Sequence, residues 1–111
     1  VINISSGETT IINNYGAGAA CRADIFKFNN NIHRATTQGA VPLDTELNLN
    51  MAAKVGDLNG VYSGKAFNNQ LLLGSTDYSA PDTVFLFDDS NELLQTFEVN
   101  VLPGDFAIYN N

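Results

Sequence analysis

Apolar residues along this chain fall in short runs or alternate singly with polar ones, and almost nowhere do they recur at helical spacing. No window of eleven residues keeps apolar positions at i, i+3, i+4 and i+7, the signature of an amphipathic helix. The best helical candidate is 47–55, but Leu47, Leu49 and Met51 alternate with Asn48 and Asn50. A period of two predicts a strand with one wet face. Short strands are predicted the same way over 1–4, 9–13, 23–28, 32–37, 61–67, 70–74, 83–87, 93–101 and 106–109, all rich in the branched and aromatic residues that suit a pleated surface.

Turn signals separate these segments at short intervals: Asn13-Asn14-Tyr15-Gly16, Asn29-Asn30-Asn31, Asn59-Gly60, Asn68-Asn69, Asp88 to Asn91, and Pro103-Gly104-Asp105. Asn59-Gly60, between Lys54-Val55 and Val61-Tyr62, predicts a type I′ hairpin, because both residues tolerate positive φ. Many short strands with frequent turns indicate a sandwich or barrel. The expected fold is therefore all-β: one antiparallel β-sandwich domain over residues 1–111, with a small β-barrel as the alternative. Ile25, Phe26, Phe28, Leu47, Leu49, Leu72, Val84, Phe85, Phe87, Leu94, Phe97, Val99 and Ile108 are the expected core. Val84-Phe85-Leu86-Phe87 is apolar on both faces, which predicts a central strand or one covered on its second face.

Three stretches share one grammar: Phe28-Asn29-Asn30-Asn31-Ile32, Phe67-Asn68-Asn69-Gln70-Leu71 and Phe87-Asp88-Asp89-Ser90-Asn91. In each, a strand ends on Phe, two or three Asn or Asp follow, and the chain resumes a strand. Their spacing is irregular, so no tandem repeat is implied. Asn and Asp suit reversals because their side chains bond nearby backbone and tolerate left-handed conformations.

Composition narrows the function. Charged residues are 15% of the chain, against about 25% in typical soluble domains, and about one residue in seven is asparagine. The polar surface is thus built mainly from uncharged groups. The net charge of −7 excludes nucleic acid, whose affinity depends on neutralising phosphates with Lys and Arg. It also disfavours anionic membrane surfaces, and no apolar run approaches the ~20 residues of a membrane span. Cys21 is the only cysteine, so no intrachain disulfide forms; burial or an interchain bridge are its two readings. The chain begins at Val1 without Met and carries an Asn3-Ile4-Ser5 sequon, which together point to a processed, secreted protein.

Catalytic motifs are missing. There is no Gly-x-Ser-x-Gly, phosphate loop or His-Glu-x-x-His, and Asp44-Thr45-Glu46 lacks the glycine of an aspartic-protease motif. His33 and Cys21 make a Cys–His pair arithmetically available, yet neither stands in a marked context. A non-enzymatic role is expected. Asp88, Asp89 and Glu92 offer carboxylates to calcium, but without EF-hand spacing; a turn is the first reading there, and no other cofactor is implied.

Binding remains. Asn side chains, carboxylates that grip hydroxyl pairs and exposed tyrosines are the groups that recognise sugars. Tyr15, Tyr62, Tyr78 and Tyr109 each adjoin Gly, Ser or Asn, and an aromatic at a strand end can stack on a pyranose while its hydroxyl stays wet. The expected ligand residues are Asp77, Tyr78 and Asp82 in one polar loop, with Asn29, Asn30, Asn68 and Asn69 in two turns. The leading expectation is a carbohydrate-binding lectin whose partners are glycans, gaining avidity as a homo-oligomer. Two alternatives stand beside it: a structural or adhesive subunit pairing through sheet edges, and a secreted protein-binding domain such as a protease inhibitor, with 36–42 as its loop.

Overall fold

A computed structural model describes residues 2–10, 24–107 and 109. Among these residues seven strands follow in order: β1 (Ile25–Phe28), β2 (Asn31–Thr36), β3 (Gly39–Pro42), β4 (Val61–Phe67), β5 (Gln70–Ser75), β6 (Asp82–Phe87) and β7 (Leu93–Val99). They form two antiparallel meanders, a three-stranded sheet β1-β2-β3 and a four-stranded sheet β4-β5-β6-β7. The only helical piece among the described residues is a 3₁₀ turn at Met51–Ala53. The expected β-sandwich is the observed architecture.

Register decides which side chains face the second sheet. Gly64, Leu73 and Phe85 pair across the four-stranded sheet, as do Ala66, Leu71 and Phe87. Residues directly opposite share a face, so these rows point inward. Leu71, Leu73 and Phe87 form one core with Phe28, Ala35, Ala40 and Val55 of the other layer. The layers approach closely at Gly64, since a Cβ there would lie 2.6 Å from Cε1 of Phe26. Two N–H groups of β4 cross between the layers, Val61 to the Thr37 carbonyl at 3.2 Å and Gly64 to Oδ2 of Asp24 at 2.9 Å.

Strand β6 lies inside its sheet, as its doubly apolar sequence predicts. Its outer face is covered in part by the chain's own C-terminal segment. Leu102 N–H donates to Oδ2 of the buried Asp82 at 2.6 Å, the Ser63 hydroxyl donates to the Pro103 carbonyl, and Lys65 pairs with Asp105 at 3.5 Å. Between this segment and the sheet runs an apolar groove of ≈ 610 Å³, with Leu72, Val84, Leu86 and Phe97 among its lining.

Several expectations are corrected. Stretch 47–55 is not a strand: Leu47 takes φ 64°, and Oδ1 of Asp44 accepts the N–H groups of Glu46 and Asn48 at 2.9 and 2.8 Å. That local turn breaks the period-two register, leaving single bridges Leu43↔Leu49 and Ala40↔Val55. Asn59-Gly60 closes no hairpin, because Val55 bridges to Ala40 while Val61 pairs with Ser75. The stretch 36–42, suspected as an inhibitory loop, ends β2 and forms β3, where Ala40 and Val41 are wholly buried. Phe106, Ala107 and Tyr109 belong to no strand, and Ile108 lies outside the described residues. Among expected core residues, Ile25, Leu94 and Phe97 are exposed, because β1 and β7 are sheet edges. Phe26, Leu47, Leu49, Leu72, Phe85 and Val99 are half-buried.

His33 is a core residue. Its ring stacks on Phe26 at 6.2 Å between centroids and meets Phe28 edge-on at 5.6 Å, with Nδ1 3.2 Å from the Asn31 carbonyl. Burial lowers its pKa, the Asn31 contact opposing only in part. The fold therefore holds His33 neutral, whereas the unfolded chain takes up a proton at about pH 6.5. The unfolded state binds more protons in that range, so stability falls as pH drops through about 6.5 towards the lower folded value. Thermal midpoints of the wild type should decline between about pH 7 and pH 5, and those of His33→Phe should decline less. Equal slopes in the two proteins would remove His33 as the cause.

Candidate functional site

The three stretches with shared grammar are all hairpin tips. Asn29 and Asn30 take φ 47° and 63°, and Asn68 and Asn69 take φ 44° and 60°. Two consecutive positive φ values, closed by Phe28↔Asn31 and Phe67↔Gln70, make both turns the two-residue I′ type that matches strand twist. Asn pays less than other side-chain-bearing residues for this conformation, which explains why the pair recurs. The third tip, between β6 and β7, is longer. Asp88 N–H donates to the Glu92 carbonyl at 3.0 Å and Asn91 N–H to the Asp88 carbonyl at 3.2 Å, with Asn91 at φ 67°.

These tips meet at one end of the sandwich. The Asn29-Asn30 and Asn68-Asn69 turns line a single cleft of ≈ 220 Å³, floored by Phe28 and Ala66 and rimmed by Lys27 and Phe67. Nδ2 of Asn29 donates to the Asp89 carbonyl at 2.6 Å, tying the first tip to the third. All four asparagines are exposed, with the Asn29 amide partly engaged by Asp89, and their backbones are fixed by the turns. An amide offers two donors and an acceptor with two lone pairs, matched to neighbouring hydroxyls.

Asp88, Asp89 and Glu92 are accounted for differently. Oδ1 of Asp88 accepts the N–H groups of Ser90 and Glu92, each at 2.9 Å, so this carboxylate organises the turn. Asp89 and Glu92 are exposed beside it. Among the described residues, no group of three or more His, Cys, Asp and Glu side chains is gathered so as to hold a metal ion.

The loop holding Asp77, Tyr78 and Asp82 joins β5 to β6. It therefore lies at the other end of the sandwich from the Asn-Asn tips, since β5 leaves the Asn68-Asn69 turn at Gln70 and ends at Ser75. The seven expected ligand residues thus fall into two separate groups. Tyr78 is exposed at φ 69°, its N–H donating to the buried Thr76 hydroxyl at 2.9 Å. Oδ1 of Asp77 accepts the Ser79 N–H and hydroxyl, both at 2.8 Å, and these bonds, the backbone one foremost, hold its carboxyl below the usual range. Asp82 turns inward to cap Leu102 and does not flank Tyr78 as an open carboxylate. A shallow pocket of ≈ 220 Å³ beside this loop includes Asp77, Pro81 and Phe85.

Of the other tyrosines, Tyr62 is half-buried, Tyr109 is exposed, and Tyr15 lies outside the described residues with Cys21. No helix among the described residues is long and apolar enough to cross a membrane. Neither a family model, nor a curated protein, nor a solved structure matches the chain.

Proposed function

We propose that this domain is a secreted, non-catalytic lectin that takes a glycan in the cleft between the Asn29-Asn30 and Asn68-Asn69 tips. The observation that carries the reading is the convergence of two identical Asn-Asn turns on one cleft. Four exposed asparagines on a fixed backbone, Asn29 held further by its bond to Asp89, present amide donors and acceptors, and such preorganised groups lose little entropy on binding. Single-site sugar affinity is low, so several copies acting together supply avidity. Tyr78 and Asp77 at the other end are the second subsite of this reading.

The test is a glycan array with calcium and again with EDTA, using wild type and the pair Asn30→Gly and Asn69→Gly. Glycine accepts positive φ at no steric cost, so both turns survive while two amides disappear. Wild type should bind selectively. The double variant should keep its thermal midpoint but lose about tenfold or more in affinity, which is about 1.4 kcal/mol, since each hydrogen bond contributes about 0.5–1.5 kcal/mol. Loss of binding in EDTA would assign Asp88, Asp89 and Glu92 to calcium. A blank array with folded protein would end the lectin reading. The reading as a structural or adhesive subunit would then lead, supported by the exposed edge strand β7.

A further inference from the structure

The sheet edges of this fold are not treated alike. Edge β3 is paired, with Ala40 N–H donating to the Val55 carbonyl at 3.0 Å and Val55 N–H to the Ala40 carbonyl at 2.8 Å. Edge β4 is stitched to the other layer through Val61 and Gly64 and carries the Lys65–Asp105 pair. Edge β7 has neither device: among the described residues no strand lies beyond it. Six of its seven residues are exposed, including Leu93 and Leu94 at 50% and Phe97 at 39%. It contains no Lys and no Pro, and its one register irregularity, opposite Leu86 and Phe87 at the Leu94 end, leaves Gln95 to Val99 in regular register with β6.

We infer that β7 pairs antiparallel with β7 of a second copy about a two-fold axis at Thr96, joining two four-stranded sheets into one of eight. Three features favour a second copy over a foreign strand. An antiparallel edge is self-complementary under a two-fold axis, each residue i meeting j while j meets i. Glu98, the single charge on β7, then falls opposite Leu94 of the partner. The two Glu98 carboxylates sit four residues apart along the strands, about 14 Å at ~3.4 Å per residue, beyond a Debye length of about 8 Å. Lastly, Phe97 pairs with Val84 on the outer face of its sheet, and Phe97 of the second copy takes the diagonal position across the axis. Aromatic side chains still reach one another there, and together they extend the apolar floor of Leu72, Val84 and Leu86.

The pairing has a geometric result that rests on the lectin reading. Antiparallel β7 strands turn the two copies end for end, so their Asn-Asn tips point in opposite directions. Such a dimer bridges two separate glycan-bearing surfaces and does not grip one surface twice.

The test uses the full chain in a Cys21→Ser background. Sedimentation equilibrium should give twice the 12.0 kDa chain mass, with tighter association at higher salt because the net charge of −7 is screened. Thr96→Cys should form an interchain disulfide under mild oxidation, since directly opposed residues lie about 4.5–5.5 Å apart between Cα atoms, within disulfide range. Lys65→Cys on the β4 edge should not. Thr96→Lys places two ammonium groups face to face and should give a monomer with unchanged circular dichroism. A monomeric wild type would overturn the proposal, and so would a dimer that survives Thr96→Lys or fails to cross-link at position 96. Dimerisation is read without sugar, so its failure is distinct from a blank glycan array.

Discussion

Phe87→Ala is expected to lower the folding free energy by about 3–5 kcal/mol, and Phe85→Ala by less, about 1.5–3 kcal/mol. Sequence alone ranks the two as equals, since both are phenylalanines on one strand and both are inward by parity. Packing separates them. Phe87 is 5% exposed within the shared core, and its ring tip lies close enough that a Cβ at Gly56 would sit 3.2 Å from it. Phe85 packs on the same cluster from outside it and stays half-buried. Truncating Phe87 leaves a cavity lined by residues from both layers, which cannot collapse without moving the sheets together. Truncating Phe85 opens a site that solvent already reaches. Urea unfolding of both variants checks this, with equal m-values certifying that the unfolded states match. Equal losses, or a larger loss for Phe85→Ala, would place the layer boundary elsewhere along β6.

Turns were more legible in the sequence than strand partners were. The Asn29-Asn30 and Asn68-Asn69 hairpins follow from backbone preference acting over four residues, so local reading suffices. Asn59-Gly60 has the same preference, and Gly60 does take φ 70°. Yet its flanks pair elsewhere, because a hairpin also needs two adjacent free edges and Ala40 has already taken Val55. Strand β3 was missed for a related reason. Gly39-Ala40-Val41-Pro42 shows no alternation and begins and ends on strand-breaking residues, so only β2 on one side and Val55 on the other make it a strand.

The candidate site divides along the same line. Each Asn-Asn turn could be read locally, whereas their shared cleft depends on how two meanders stack, and residues 39 apart in sequence carry no mark of that. The recurrence of the Phe-Asn-Asn pattern was the one available signal, because strands that end alike in one sandwich can end at one rim. Asp82 misled in the opposite direction. Its neighbours are polar and proline-bounded, which suggests a wet carboxylate, but β6 begins at this residue and buries it against Leu102. The exposure of β7 was equally hidden. Leu94, Phe97 and Val99 read as core by composition, but β7 is the edge of its sheet, and Phe97 lies with Val84 on the outer face, away from the second layer.

Gly39→Ala should be among the most damaging single methyls at the described glycines, together with Gly60→Ala, whose Cβ would lie 2.3 Å from the Thr76 carbonyl oxygen. Gly39 opens β3 at φ 143°, and a Cβ there would lie 2.3 Å from the Val55 carbonyl oxygen and 2.9 Å from that of Gly56. Both obstacles are backbone, so no rotamer change relieves them. Val55 is moreover held to Ala40 by two hydrogen bonds, and pushing it away exposes the edge that it covers. Strained backbone contributes about 1–3 kcal/mol and overpacking about 1–3 kcal/mol. Their sum is a large part of the roughly 5–15 kcal/mol that holds a domain together. Gly7→Ala supplies the control, because Gly7 also has positive φ, at 72°, but nothing lies within 4 Å of its Cβ position. That variant should lose only the left-handed penalty of about 1–2 kcal/mol. If thermal unfolding showed the two alanines equally costly, the close approach of β3 to Val55 would be absent in solution. The expected order, Gly39→Ala far below Gly7→Ala, would show that the β3 edge is closed by backbone contact, which β7 lacks.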